Sequence, residues 1–186
     1  MDDVRHIEHE IHVQCDERVK HDRSYDTIVS QAIIESLRSE AIDMHCVVNV
    51  LITDDEGIRE YNREYRNIDT ATDVLSFPMQ TFLQTGWKSL SEPEFDEDTG
   101  DLLLGDIVIS LESVERQAVE YGNTNEYETA YLIIHSSLHL IGYDHDDETG
   151  EKIMHSKNKK IIQEMGFNIN DKKSSNDIDS RQGKCG

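Results

Sequence analysis

The eleven residues HSSLHLIGYDH, 135–145, constrain this chain more than any other stretch. His135 and His139 stand at i and i+4, so on a helix their rings project from one face, a turn apart. The surrounding run TAYLIIHSSLHL is apolar on nearly all sides, which predicts a buried helix over roughly 125–140. Gly142 can adopt the left-handed conformation that ends such a helix, after which the chain can double back and bring His145 toward the other two. Three neutral imidazoles would leave a bound ion its full double charge and an open position for water or substrate. The plainer alternative is a pair of core histidines, each of which would need its own hydrogen-bond partner. The remaining histidines fit surface or structural positions better, including His6, His9 and His12 with their i, i+3 spacing.

The spacing H-x-x-x-H-x-x-G-x-x-H is that of the metzincin proteases. Those enzymes carry Glu directly after the first histidine as general base. Here the position is Ser136, whose hydroxyl is a poor base near neutral pH, so peptidase chemistry by that route is disfavoured.

Composition narrows the alternatives further. With 186 residues, the chain is expected to form a single domain over 1–167, followed by a polar, aperiodic tail over 168–186. Net charge is −21, from 39 acidic against 18 basic residues, which repels polyanions at long range. No basic nucleic-acid footprint exists at whole-chain level, no DNA partner is expected, and any RNA contact needs a local basic patch or the ion itself. Cys15, Cys46 and Cys185 are odd in number and lack CxxC spacing, which points to a reducing compartment. The N-terminus has no apolar signal region, and no run approaches the roughly 18 apolar residues of a membrane span. A cytoplasmic location with no membrane partner is the expectation.

Along the chain, residues 4–13 suggest an edge strand. Helical periodicity from Thr27 to Met44 suggests an amphipathic helix capped by Asp26. CVVNVLIT (46–53) reads as a buried strand, and Asp54-Asp55 open a helix running through Tyr65. DVLSFP is a short strand ended by Pro78, and 80–101 an acidic, irregular loop. LLLGDIVI (102–109) is a strand expected to break at Gly105-Asp106. Ser110 caps a helix ending near Gly122, and 148–165 forms a last amphipathic helix.

With these segments in hand, HSSLHLIGYDH, LGDIVIS (104–110) and YNREYRNIDTATDVLSFP (61–78) together resemble the YbeY family. Its pattern is approximately H-G-x-L-H-L-x-G-Y-D-H, with an upstream N-x-x-Y-R-x-x-D-x-P-T-D-V-L-S-F-P. The resemblance runs from about Cys46 to Phe167. It implies an α+β fold, a small mixed β-sheet packed with helices and a zincin-like metal helix near the C-terminal end of the core. It also implies a single-strand-specific, metal-dependent endoribonuclease of ribosomal RNA processing, acting in maturation of the 16S rRNA 3′ end and in ribosome quality control. It further implies one zinc ion, with nickel as a possible substitute, on His135, His139 and His145. Catalytic positions would be Arg66 and His135, and substrate-binding positions Arg66 and Ser76. The implied partners are single-stranded ribosomal RNA and the small ribosomal subunit or its proteins. Two departures stand out: Ser136 replaces the family's glycine and Ala71 its loop proline.

Phosphodiester cleavage asks for a nucleophile and for charge neutralisation at the phosphorus. Arg66 would supply a planar, permanently charged fork for phosphate, although by spacing alone it also suits a surface salt bridge. Asp73 or Asp106 could orient a ligand histidine or equally cap a turn, and Asp144 and Asp146 could orient a water or stand solvated. A basic strip of Arg59, Arg63 and Arg66, extended by Lys152 or Lys157, is expected to meet RNA. Two competing functions stay open on sequence: a zinc amidase or peptidase, and a non-enzymatic ribosome-associated assembly factor.

Overall fold

The computed structural model describes residues 8–20 and 22–167. The expected tail over 168–186, Cys185 and the first residues of the expected N-terminal strand lie outside them. In chain order the elements are β1 (Glu10–Cys15), α1 (Arg23–Ser39), β2 (Cys46–Thr53), α2 (Asp55–Arg66) and β3 (Val74–Pro78). The short strands β4 (Thr81–Phe82) and β5 (Leu90–Ser91) follow, then β6 (Leu102–Ser110), α3 (Leu111–Tyr121), α4 (Asn125–Leu140) and α5 (Glu148–Glu164).

Four strands form one mixed sheet in the order β1-β2-β6-β3. β1, β2 and β6 run parallel, and β3 pairs antiparallel with β6 at the opposite edge. The central strands β2 and β6 are mostly buried and read as near-continuous apolar runs, whereas edge strand β1 alternates exposed and half-buried residues. On one face α4 lies over β3 and β6 and is itself surrounded by α1, α3 and α5. Ile133, Ile134 and Leu138 of α4 are wholly inaccessible to solvent, so the main core is centred on this helix. On the other face α2 covers a smaller cluster of Ile58, Leu75 and Val108.

The caps explain most of the boundaries. Asp54 accepts from the Gly57 amide and Ser110 from that of Ser113, satisfying amides that open α2 and α3. Asn67 and Gly122 end these helices in the left-handed conformation. At α1 the expected boundaries shift. Asp22, not Asp26, accepts from the Ser24 amide and starts the helix earlier, which puts Asp26 inside the first turn. The helix also stops at Ser39 rather than Met44, because Ala41 takes a positive φ of 52°.

β6 departs from expectation as well. Gly105 and Asp106 do not break it; the strand runs through them with a shift of register against Val47 and Val48 of β2. Gly105 sits at φ +135°, and a Cβ there would lie 2.2 Å from the Phe77 carbonyl, so the glycine permits the close approach of β3. The segment 80–101 is also more ordered than its composition suggests. It holds the β4–β5 pair, and Gln80 anchors it by donating to the Glu94 carbonyl at 3.0 Å and accepting from the Glu94 amide at 3.0 Å.

Candidate metal centre

α4 places His135 and His139 on its sheet-facing side next to β3, and the turn after Gly142 returns His145 to them. The three rings pack at centroid separations of 4.8, 5.4 and 4.9 Å. Among the described residues they form the one group of three or more metal-ligating side chains whose ligand atoms all lie within 4.8 Å of one another.

The local chemistry fits a cation. His139 Nδ1 lies 3.0 Å from the Tyr143 carbonyl, which can only accept, so Nδ1 carries the proton and Nε2 presents its lone pair. That Nε2 lies 3.2 Å from Nε2 of His135. Two ring nitrogens this close need a proton or a cation between them. Ligands at 2.0–2.1 Å from a tetrahedral ion would be separated by roughly 3.3–3.4 Å. Burial holds the pKa of His135 down to about 3, with His139 and His145 adding to the effect. Burial and then His145 lower that of His139 too, against a weaker opposing pull from Asp144. The pair therefore stays neutral and able to ligate at physiological pH.

The histidines line a cleft of about 280 Å³ with Arg66, Val74, Ser76, Pro78, Ser136 and Asp144. Arg66, the last residue of α2, approaches past β3, where its Nη2 donates to the Ser76 carbonyl at 3.3 Å. Burial pulls its pKa below the ordinary guanidinium value, which still leaves it charged at neutral pH. Asp144 Oδ1 accepts from the His145 amide at 2.7 Å and thereby braces the turn that carries the third imidazole.

Other expected residues lie elsewhere. Asp73 is buried and accepts from Gln117 at 2.8 Å, while Asp106 accepts from Asn49 at 2.8 Å; the carbonyl that orients His139 comes from Tyr143 instead. The expected basic strip narrows. Arg59 is paired with Asp69 and Glu56, Lys152 with Glu148, and Lys157 with Glu40. Exposed Arg63 and the cleft residue Arg66 remain.

Glu40 and Tyr143 were not singled out from sequence. The Tyr143 hydroxyl donates to Glu40 Oε2 at 2.6 Å, and Lys157 Nζ sits 4.7 Å from the centre of the Tyr143 ring. This joins the C-terminal end of α1 and the middle of α5 to the turn bearing His145. The available signal was Tyr143 itself, a large residue placed between the second and third histidines.

An α+β fold with a three-histidine cleft, a nearby half-buried arginine and no carboxylate after the first histidine defines a candidate metal-site protein outside the peptidase pattern. The profile of the Endoribonuclease YbeY family matches residues 10–166, and the chain belongs to that family. Endoribonuclease YbeY of Agathobacter rectalis is 42% identical over 147 residues, covering 77% of this chain and 89% of the relative. That of Clostridium kluyveri is 42% identical over 142 residues, covering 74% and 87%. A solution structure of a Thermotoga maritima protein superposes with a TM-score of 0.53 at 30% identity, covering 83% of this chain and 87% of the other. No helix among the described residues is long and apolar enough to cross a membrane.

Proposed function

We propose that this chain is a zinc-dependent endoribonuclease that cuts single-stranded ribosomal RNA, with His135, His139 and His145 holding the ion. The observation that carries this reading is the shared cleft: three converging imidazoles and the Arg66 guanidinium line one concave surface. Family membership supports the RNA substrate and the processing role. Imidazole ligation favours zinc, and nickel suits the same donors. On this reading the site of action is 16S rRNA 3′ end maturation and ribosome quality control in the cytoplasm, alongside the small subunit.

When bound, the ion would lower the pKa of a coordinated water and polarise a phosphoryl oxygen. The protein's own groups do the rest. Arg66, anchored on the Ser76 carbonyl, presents its remaining N–H groups to a phosphate oxygen, where a fixed cation offsets the charge that develops in the transition state. Ser76 sets the position of Arg66 and borders the substrate path. His135, neutral through burial, keeps its lone pair available instead of competing for a proton. A net charge of −21 makes intrinsic RNA affinity weak, so delivery by a ribosomal partner fits.

The test is incubation of zinc-loaded protein with single-stranded RNA, double-stranded RNA and peptides, beside His139→Ala and Arg66→Ala. Single-stranded RNA should be cut by the parent and by neither variant. Peptide hydrolysis without RNA cleavage would overturn the assignment in favour of an amidase, and RNA cleavage that survives His139→Ala would mark a contaminating nuclease.

A further inference from the structure

Tyr65 is an aromatic residue left 60% exposed immediately before Arg66. Its ring is held in place nonetheless. It stacks on Tyr61 with centroids 6.1 Å apart and planes 11° from parallel, and it meets the edge of Phe77 at 5.3 Å. Phe77 and Tyr61 are in turn packed against the small core under α2, so the platform beneath Tyr65 is anchored to the fold. Such a ring has surrendered its rotamer freedom already and keeps one side open to solvent, as a stacking surface for a planar ligand requires.

Its position says which ligand. Consecutive residues on a helix point about 100° apart, and on a strand they point to opposite faces. Arg66 and Ser76 line the cleft, whereas Tyr65 and Phe77, their chain neighbours, form a pair on the outer side of edge strand β3. The guanidinium and the ring therefore flank the same edge. Exposed Arg63 adds positive charge within the same stretch of α2. We propose that Tyr65, supported by Tyr61 and Phe77, is a base-stacking subsite for the nucleotide next to the phosphate held by Arg66. This deepens the endoribonuclease reading and rests on it. An unpaired base can swing out to reach the ring, whereas a base inside a duplex cannot, so the subsite would contribute to preference for single strands.

The test pairs Tyr65 variants with two RNA oligonucleotides, one normal and one carrying an abasic nucleotide on either side of the mapped cleavage position. With zinc-loaded protein, Tyr65→Ala should raise KM for the normal RNA roughly 5- to 100-fold and change kcat little. The abasic RNA should be equally poor for parent and variant, and Tyr65→Trp should restore KM on the normal RNA. Equal losses for Tyr65→Ala on both RNAs, or no loss on either, would overturn the subsite while leaving the nuclease assignment in place. Failure of the parent to cut either RNA would overturn both. Thermal melting of Tyr65→Ala, expected to match the parent within a few degrees, guards against a folding defect.

Discussion

The Tyr143 carbonyl accepts a hydrogen bond from His139 Nδ1 at 3.0 Å, so a main-chain oxygen four residues onward sets which nitrogen of the second imidazole faces the cleft. The same tyrosine is tied through its hydroxyl to Glu40 and lies beneath Lys157. The turn carrying the third histidine is thus gripped at once from the end of α1 and the middle of α5, which links imidazole orientation to the packing of two helices.

Tyr143→Phe should therefore weaken the fold more than the site. It removes one hydrogen bond to a largely buried carboxylate and leaves the carbonyl in place. Urea denaturation should show a loss of about 1.5–3 kcal/mol, the usual worth of a hydrogen bond to a charged group. Zinc affinity measured by competition with a chelator should change by less than about tenfold, below the range for removal of an outer partner of a ligand histidine.

Removing a ligand should do the reverse. His139→Ala is expected to lower zinc affinity by at least about 100-fold, since losing even an outer partner of such a histidine costs 10–100-fold. RNA cleavage should vanish with the metal. Full metal content by plasma mass spectrometry in the dialysed variant would contradict the three-histidine site.

Gly142 is strained toward any other residue by two separate causes. Its φ is +88°, and a Cβ there would stand 2.4 Å from Phe82 Cγ on β4. Gly142→Ala should cost roughly 2–4 kcal/mol, combining the backbone and the overlap contributions. In a Phe82→Ala background the cost should fall to the backbone share, about 1–2 kcal/mol. Equal costs in both backgrounds, read from melting curves, would show that Phe82 simply moves aside.

Asp55 provides the pH dependence. Burial raises its pKa, but hydrogen bonds from Ser110, Arg116 and Ser113 outweigh this and hold the carboxyl below its ordinary value of 3.8. The folded state thus favours the ionised form. Its contribution is complete above pH 3.8 and is lost as pH falls through 3.8 toward the lower folded value. Asp55→Asn should destabilise the protein by about 1–2 kcal/mol at pH 7. The gap between variant and parent should shrink as pH drops below 3.8. A gap that does not vary with pH would assign the effect to packing.

What could be read along the chain was whatever depends on near neighbours. Periodicity and capping residues located α2, α3, α4 and β2 closely, because Asp54, Ser110 and Gly122 act on amides and carbonyls within a few positions of themselves. The i, i+4 spacing of His135 and His139 plus the glycine turn was enough to bring three imidazoles together for the same reason. The start of α1 was missed because Asp22 and Asp26 are both competent caps, and nothing local chooses between them. β6 passed through Gly105 because pairing on both sides, to β2 and β3, outweighs the glycine's weak strand preference.

The surroundings of the site were decided only by the tertiary structure. Arg66 and Ser76 share a cleft with histidines 59 to 79 positions further on because β3 packs beside α4, a contact no local pattern encodes. The expected basic strip lost Arg59, Lys152 and Lys157 to carboxylates, and for Lys157 the partner, Glu40, lies 117 positions away. Sequence by itself determined the histidine triad, since one helical turn and one glycine bend suffice to build it. The tertiary fold decided what faces the triad, because side chains distant along the chain meet only when sheet and helices bury their apolar faces together.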